Sequence, residues 1–306
     1  MKTLALLLLA AFPAPAATFY ITLSGLGGEL DYVQRFKMLA DDIDGSLKKA
    51  GGESTVTTLN APTLEQIRAR FAEVAKQAKP ADSLVVFLIG HGTYDGREYK
   101  FNIPGPDITG SDLAGMMDRI PSQRQLVVNM TSCSGGAIEN LRRPNRIVIS
   151  ATKSGSEKNA TNFARYFAEA LREPSADTDK NESVSALEAF RYAQAKTTEF
   201  FDTQKRLATE HSVIEDTGKG MGERTATAEN GEGKLAGAFT VVRLGANAAA
   251  ARDPNKRPLL DKKEQLEQTI EKLKFEKAAM PAQEYKRQLT QLLLELAKTQ
   301  EALDKP

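Results

Sequence analysis

The chain has 306 residues, 41 % of them hydrophobic, with 41 Lys and Arg set against 40 Asp and Glu. That length allows one large folded domain or a domain with an appendage, and the balanced charge lacks the basic excess of a nucleic-acid binder. One cysteine and two histidines supply neither an internal disulfide nor the four ligands of a structural zinc site.

Lys2, the apolar run 4–11 and Ala14-Pro15-Ala16 read as a secretory signal covering residues 1–16. The run is too short to stay in a bilayer as a helix, and no later stretch is longer and equally apolar. The mature protein is therefore expected without a membrane span, in the periplasm or secreted. An unpaired cysteine in an exported chain is open to oxidation and calls for a reason; taken alone it reads as a small buried hydrophobe.

Residues 18–23 are rich in β-formers and predict a first strand, closed by the tight turn Gly25-Leu26-Gly27-Gly28 and followed by a helix over 31–49. A short strand follows at 55–59, then a helix over 63–78 with Leu64, Ile67, Phe71 and Val74 on one face. The continuous apolar run 84–89 predicts a strand buried on both faces, and 126–130 and 146–150 predict two more. Helices are expected at 111–117, 162–171 and 185–206, a polar Gly-rich loop over 210–233, and a last strand at 238–244. This alternation implies an α/β sandwich with a mostly parallel sheet, whose active site lies beyond the carboxyl ends of the strands.

The remainder differs in kind. Residues 246–256 read as a linker, and 257–304 as an α-helical hairpin joined at Met280-Pro281. Leu266, Ile270 and Leu273 form one apolar stripe; Tyr285, Leu289, Leu292, Leu296 and Leu303 form the other, at heptad-like spacing. Leu260, Phe275, Leu293 and Leu294 fall off that seam and are free to dock on the main domain or on a second chain. Self-association and autoinhibition are both open roles for the hairpin.

The chemistry concentrates at two strand ends. One ends Phe87-Leu-Ile-Gly-His91-Gly92, the other Asn129-Met-Thr-Ser-Cys133-Ser-Gly-Gly136. Each sets one reactive side chain just past a buried strand, with glycine beside it. A thiol needs a base to become a nucleophile, and an imidazole can supply it. The tetrahedral intermediate needs N–H donors, for which Gly92 and Cys133 are candidates.

The strand–His-Gly and strand–x-x-Cys-x-Gly pattern resembles the caspase/legumain superfamily of cysteine peptidases, and bacterial legumain-like proteins in particular. The resemblance covers most of residues 18–245. Ile149-Ser-Ala-Thr152, the run 159–168 and Thr209-Glu-His211 look similar to the same subgroup. It implies a caspase-like three-layer sandwich over residues 17–245, and an endopeptidase acting through an acyl-enzyme on a peptide or protein substrate. His91 would be the general base and Cys133 the nucleophile in a dyad that requires no cofactor, with Gly92 and Cys133 as the oxyanion hole. A peptide ligase of the same fold and a catalytically silent scaffold are the alternatives. Two residues before the cysteine, where legumains carry an acid, stands Thr131; with Ser150, Ala151 and Thr152 it is the expected substrate pocket, and its neutrality argues against an Arg/Lys preference.

A second constellation runs from Asp177 to Glu188. Asp177, Asp179, Asn181, Ser183 and Glu188 stand at the oxygen-ligand spacing of a calcium loop, with Glu182 where that loop takes glycine. Calcium binding there and a plain helix-capping loop are both open readings. His211, Asp95 and Asp107 read as loop residues.

Overall fold

The structure, a computed structural model, describes residues 16–305; the signal reading covers residues 1–16, of which 1–15 lie outside them. Six strands build the central sheet. Strand β1 (Thr18–Ser24) is followed by helix α1 (Leu30–Lys49), β2 (Ser54–Asn60), α2 (Leu64–Gln77) and β3 (Ser83–Ile89). A small antiparallel sheet then projects from the main one: β4 (Gly92–Tyr94), β5 (Tyr99–Phe101) and β6 (Ile108–Thr109). Helix α3 (Gly110–Asp118), β7 (Arg124–Asn129), a 3₁₀ turn at Ser134–Ala137, α4 (Ile138–Leu141), β8 (Arg146–Ser150) and α5 (Phe163–Ala170) come next. The rest is β9 (Ser183–Ser185), α6 (Ala186–Thr203), β10 (Val213–Glu215), α7 (Lys234–Gly237), β11 (Thr240–Arg243) and α8 (Gly245–Ala250), then the hairpin α9 (Arg257–Glu276) and α10 (Ala282–Leu303).

The sheet order is β10-β8-β7-β3-β1-β2, parallel throughout except for β10 at one edge. Every residue of β3 is buried, as a strand covered on both faces must be. Its alternate side chains feed two cores. Val85, Phe87 and Ile89 pack with Phe36 and Ile43 of α1, Phe163 and Phe167 of α5 and Phe190 of α6. Leu84, Val86 and Leu88 pack on the other face with Ile67, Phe71 and Val74 of α2 and with Leu113 and Met117 of α3. This is the expected three-layer α/β sandwich. The register holds Leu88 opposite Asn129, and Asn129 opposite Ser150. The loops after β3, β7 and β8 therefore leave the sheet at one level.

Several elements depart from the expectation. The loop 210–233 contains β10, whose three residues pair antiparallel with β8; so short a strand is made by the edge it joins and carries no pattern of its own. Most of α8, an Ala-rich stretch with high helix propensity, falls in the linker 246–256. Asn247 anchors it, donating from Nδ2 to the Asn181 carbonyl at 2.9 Å.

The hairpin docks through α9. Leu260 packs with Ala250, Ala251 and Leu303, and Arg243 on β11 makes a two-point ion pair with Glu264, at 2.5 and 2.9 Å. Arg257 pairs with Glu53 just before β2, and Gln268 and Lys272 share a cleft with Gln123, Arg124 and Asn145 at the entries to β7 and β8. The hairpin thus lies at the amino ends of the strands, opposite His91 and Cys133. Self-association and autoinhibition through the hairpin are proposals for a segment that docks at this end of the sheet. Leu293 and Leu294 on α10 stay exposed, on the face where the sequence suggested self-association.

Leu260 is 1 % exposed, so Leu260→Ala is expected to cost about 2–4 kcal/mol of stability, read by denaturant unfolding. Leu294→Ala, on the open face, is expected to stay within about 0.5 kcal/mol. Equal effects would mean that α9 is not docked as described.

Candidate active site

His91 follows β3 and Cys133 follows β7, its sheet neighbour. The main chain of β3 turns out through Gly90 and returns as β4, so that the His91 carbonyl accepts the Asn102 N–H at 3.1 Å. The imidazole sits half-buried between two rings of α1: Tyr32 at 4.6 Å and Phe36 at 5.0 Å between centroids, both edge-on. Burial holds its pKa below the ordinary 6.5; a hydrogen bond to Gly27 in the β1–α1 turn opposes this, and Arg35 reinforces it. The two rings of α1 set the orientation of the imidazole.

Cys133 stands in the left-handed region, with φ +57° and ψ +7°, a conformation that non-glycine residues seldom take and that clusters at functional sites. It is 2 % exposed. Burial pushes the thiol above its ordinary 9.0, while Lys158 and the Tyr94 N–H draw it down. The imidazole is thus gripped from α1 and the thiol from β4, each from its own side.

Ser132 ties the two loops together. Its hydroxyl accepts the Gly92 N–H and donates to the Gly92 carbonyl, both at 3.0 Å. A side chain at Gly92 is excluded by the close approach: its Cβ would lie 2.4 Å from the Ser132 carbonyl oxygen and 2.6 Å from the ring of Tyr99. The Cys133 N–H donates to the Glu157 carbonyl at 2.8 Å. Both expected oxyanion donors, Gly92 and Cys133, are therefore engaged within the chain.

The expected pocket residues lie inside the fold. Thr131, Ser150, Ala151 and Thr152 are all fully buried. Thr131 Oγ1 lies 2.7 Å from the Tyr99 hydroxyl and 2.9 Å from Asn129 Oδ1, sealed beneath Gly92. Ser150 Oγ donates to Ser134 Oγ at 2.8 Å, and Thr152 Oγ1 accepts the Gly135 N–H at 2.9 Å. The hydroxyls of Ser150 and Thr152 lash the cysteine turn to the end of β8.

His211 reaches this region, which its sequence context left open. It lies 2.5 Å from Glu157 Oε1 through Nδ1, and donates its own N–H to Glu157 Oε2 at 3.1 Å. Asp95 and Asp107 cap their loops as read: Asp95 accepts the Arg97 and Glu98 N–H groups, and Asp107 that of Ile103. Tyr32, Phe36 and Tyr94 escaped sequence reasoning; an aromatic pair at i, i+4 on a helix is the ordinary signature of a core face.

The 177–188 loop has the expected turn. Lys180 and Glu182 take φ +61° and +63°, so Glu182 adopts the conformation asked of glycine, at about 1–2 kcal/mol. Its carbonyl accepts the Leu244 N–H at 2.8 Å and its carboxylate the Asn247 N–H at 3.2 Å. Asp177, Asp179 and Glu188 bring one carboxylate oxygen each within 4.8 Å of one another. Asn181 Oδ1 accepts the Ser183 N–H, and Ser183 Oγ accepts from Asn247 Nδ2. Glu188 uses both oxygens within the loop, Oε1 on Thr178 and Oε2 on Ser185, the latter completing the capping box of α6. The Asp179 carboxyl is pushed up to about 6 by burial and then by Glu188.

The sequence profile of the caspase domain matches residues 28–206, more than half of the chain and both strand-end motifs. The chain belongs to the caspase-domain family. Solved structures similar to it include the initiator caspase Dronc of Drosophila, 11 % identical, with a TM-score of 0.47 over 68 % of this chain and 81 % of that one. Caspase-1 of Spodoptera frugiperda is 14 % identical, TM-score 0.47, over 65 % and 85 %. Protein GSU0716 of Geobacter sulfurreducens is 13 % identical, TM-score 0.42, over 60 % and 89 %. No curated protein sequence matches the chain. Among the described residues, no helix is long and apolar enough to cross a membrane.

Two predictions follow from these charges. A thiol held above 9.0 is little ionised at neutral pH, so alkylation of the single cysteine should climb with pH through 9 and beyond. A plateau near neutral pH would mean that the resting protein already holds a thiolate. For the 177–188 loop, calcium at tenfold its dissociation constant should stabilise the fold by about 1.4 kcal/mol at pH 7.5, and Asp177→Ala should abolish the gain. Asp179 with a pKa of about 6 is a carboxylate above that pH and protonated below it, so the gain should fade as pH drops to 5. No calcium shift at pH 7.5 would leave the loop a helix cap only.

Proposed function

We propose that the chain is an exported cysteine endopeptidase with Cys133 as nucleophile and His91 as general base. The reading is carried by one observation: Cys133 is held in a left-handed turn beyond β7 while the imidazole is oriented beyond the adjacent β3. Membership of the caspase-domain family supports the reaction class. Export rests on the reading of residues 1–16.

In the proposed reaction Cys133 Sγ attacks the scissile carbonyl carbon as His91 takes the thiol proton. The oxyanion is received by the N–H groups of Gly92 and Cys133 once Ser132 Oγ and the Glu157 carbonyl yield them. His91 then passes the proton to the leaving amine as the C–N bond breaks, leaving a thioester. Water attacks the thioester, His91 accepts its proton and returns it to the departing sulfur, and the carboxylic acid product leaves. An amine in place of water would give ligation by the same steps.

The burial of Cys133 favours a second reading, a silent scaffold. A thiol-reactive peptide probe separates the two. Under the peptidase reading the probe labels the wild type, and both Cys133→Ala and His91→Ala lose cleavage of a peptide library by at least 10³-fold, the scale on which catalytic nucleophile–base pairs act, with unchanged melting. Cleavage by Cys133→Ala at the wild-type rate would sink the mechanism.

A further inference from the structure

One of the two engaged donors is held by a distant loop. The segment between β8 and α5 is pinned at both ends. At the first, Thr152 Oγ1 accepts the Gly135 N–H at 2.9 Å. At the second, Thr161 Oγ1 donates to the Met130 carbonyl at 2.6 Å, and Glu210 accepts the Asn162 and Phe163 N–H groups at 2.7 and 3.1 Å. Between these anchors the loop bends over the cysteine turn, and Glu157 is the residue that holds it there. The Glu157 carbonyl accepts the Cys133 N–H at 2.8 Å. Its carboxylate accepts the N–H groups of Lys153 at 3.0 Å and His211 at 3.1 Å, and lies 2.5 Å from His211 Nδ1. The roof is tightly packed: a Cβ on Gly155 would lie 2.3 Å from the ring of Tyr94, and one on Gly135 would lie 2.2 Å from the Ser154 nitrogen.

The chemistry of this contact is that of a decoy. A substrate presents a carbonyl oxygen to the Cys133 N–H, and the Glu157 carbonyl is the same group in the same place. As long as it stays, the donor is satisfied. What sets the carbonyl there is the side chain of the same residue, and what sets the side chain is His211, which enters from the other direction on the lead into β10.

We propose that Glu157 and His211 form a latch that keeps Cys133 closed. With the pair joined, the Glu157 carbonyl occupies the Cys133 N–H and residues 153–160 cover the thiol. When the pair parts, the loop lifts between its two anchors and yields donor and thiol together. The proposal rests on the reading of Cys133 as nucleophile. Glu157 and His211 act through the loop, and are positioning residues.

The chain has a single cysteine, so alkylation by iodoacetamide reports on Cys133 alone, whatever the protein catalyses. At pH 7.5, His211→Ala and Glu157→Ala are each expected to raise the alkylation rate tenfold or more. Glu157→Gln, which still accepts the His211 N–H, should stay within threefold of wild type. Leu260→Ala lowers stability from the far end of the sheet and should leave the rate at the wild-type value. Unchanged rates in both His211→Ala and Glu157→Ala overturn the latch. So does a rise in Leu260→Ala as large as theirs, since accessibility would then follow global stability. Peptide cleavage by the same variants is read separately. A rise in alkylation without cleavage in any variant keeps the latch and removes the peptidase reading. Cleavage that depends on His91, with alkylation flat across the latch variants, does the reverse.

Discussion

Two-sided burial of β3 and β7 is the constraint on which the rest of this fold depends. A strand covered on both faces makes an unpaired polar side chain costly, so chemistry is favoured at the first residues that clear the sheet. Since Leu88, Asn129 and Ser150 stand side by side, the three loops emerge together. The histidine, the cysteine and the β8 loop are brought to one edge by register before any of them touches another. Ser132 then joins the histidine and cysteine loops, one hydroxyl bridging both main-chain polar groups of Gly92. The site is built from main-chain contacts, and its side chains are oriented by what lies around them.

What the sequence displayed and what it hid divide along the same line. Runs such as 84–89 declare themselves because burial on two faces demands unbroken apolar residues, and their ends locate His91 and Cys133 directly. The helices of the hairpin were as legible, since their apolar stripes recur over several turns. Short strands such as β10 carry no pattern of their own and exist because an edge is there to pair with. The burial of the expected pocket residues was hidden for another reason. Thr131, Ser150 and Thr152 occupy the expected places, but hydroxyls can point inward and satisfy one another, and nothing in a linear string says which way they turn. Long-range pairs such as Glu157 with His211 are equally silent, because each half reads as an ordinary loop residue.

The hairpin shows how an appendage can be joined to a domain without entering its chemistry. Helix α9 spends its apolar and charged contacts on the amino ends of the strands, through Leu260, Glu264 and Arg257. Helix α10 rests on α9 and leaves Leu293 and Leu294 in water. Lys263 lies buried beside the 177–188 loop and donates to the Asn181 carbonyl at 2.7 Å. The docked helix therefore braces the same loop whose carboxylates crowd together, and the geometry of that loop depends on residues some eighty positions later in the chain.

The carbonyl of Glu157 on the Cys133 N–H also has a meaning for affinity. Any ligand that needs this donor competes with a group tethered beside it, present at high effective concentration and never diluted. The apparent dissociation constant then equals the intrinsic one divided by the open fraction. If about one molecule in a thousand is open, every ligand binds about a thousandfold more weakly, a penalty near 4 kcal/mol. The factor is common to all ligands of the site. It leaves their ranking untouched and moves only the concentration at which the first of them is noticed.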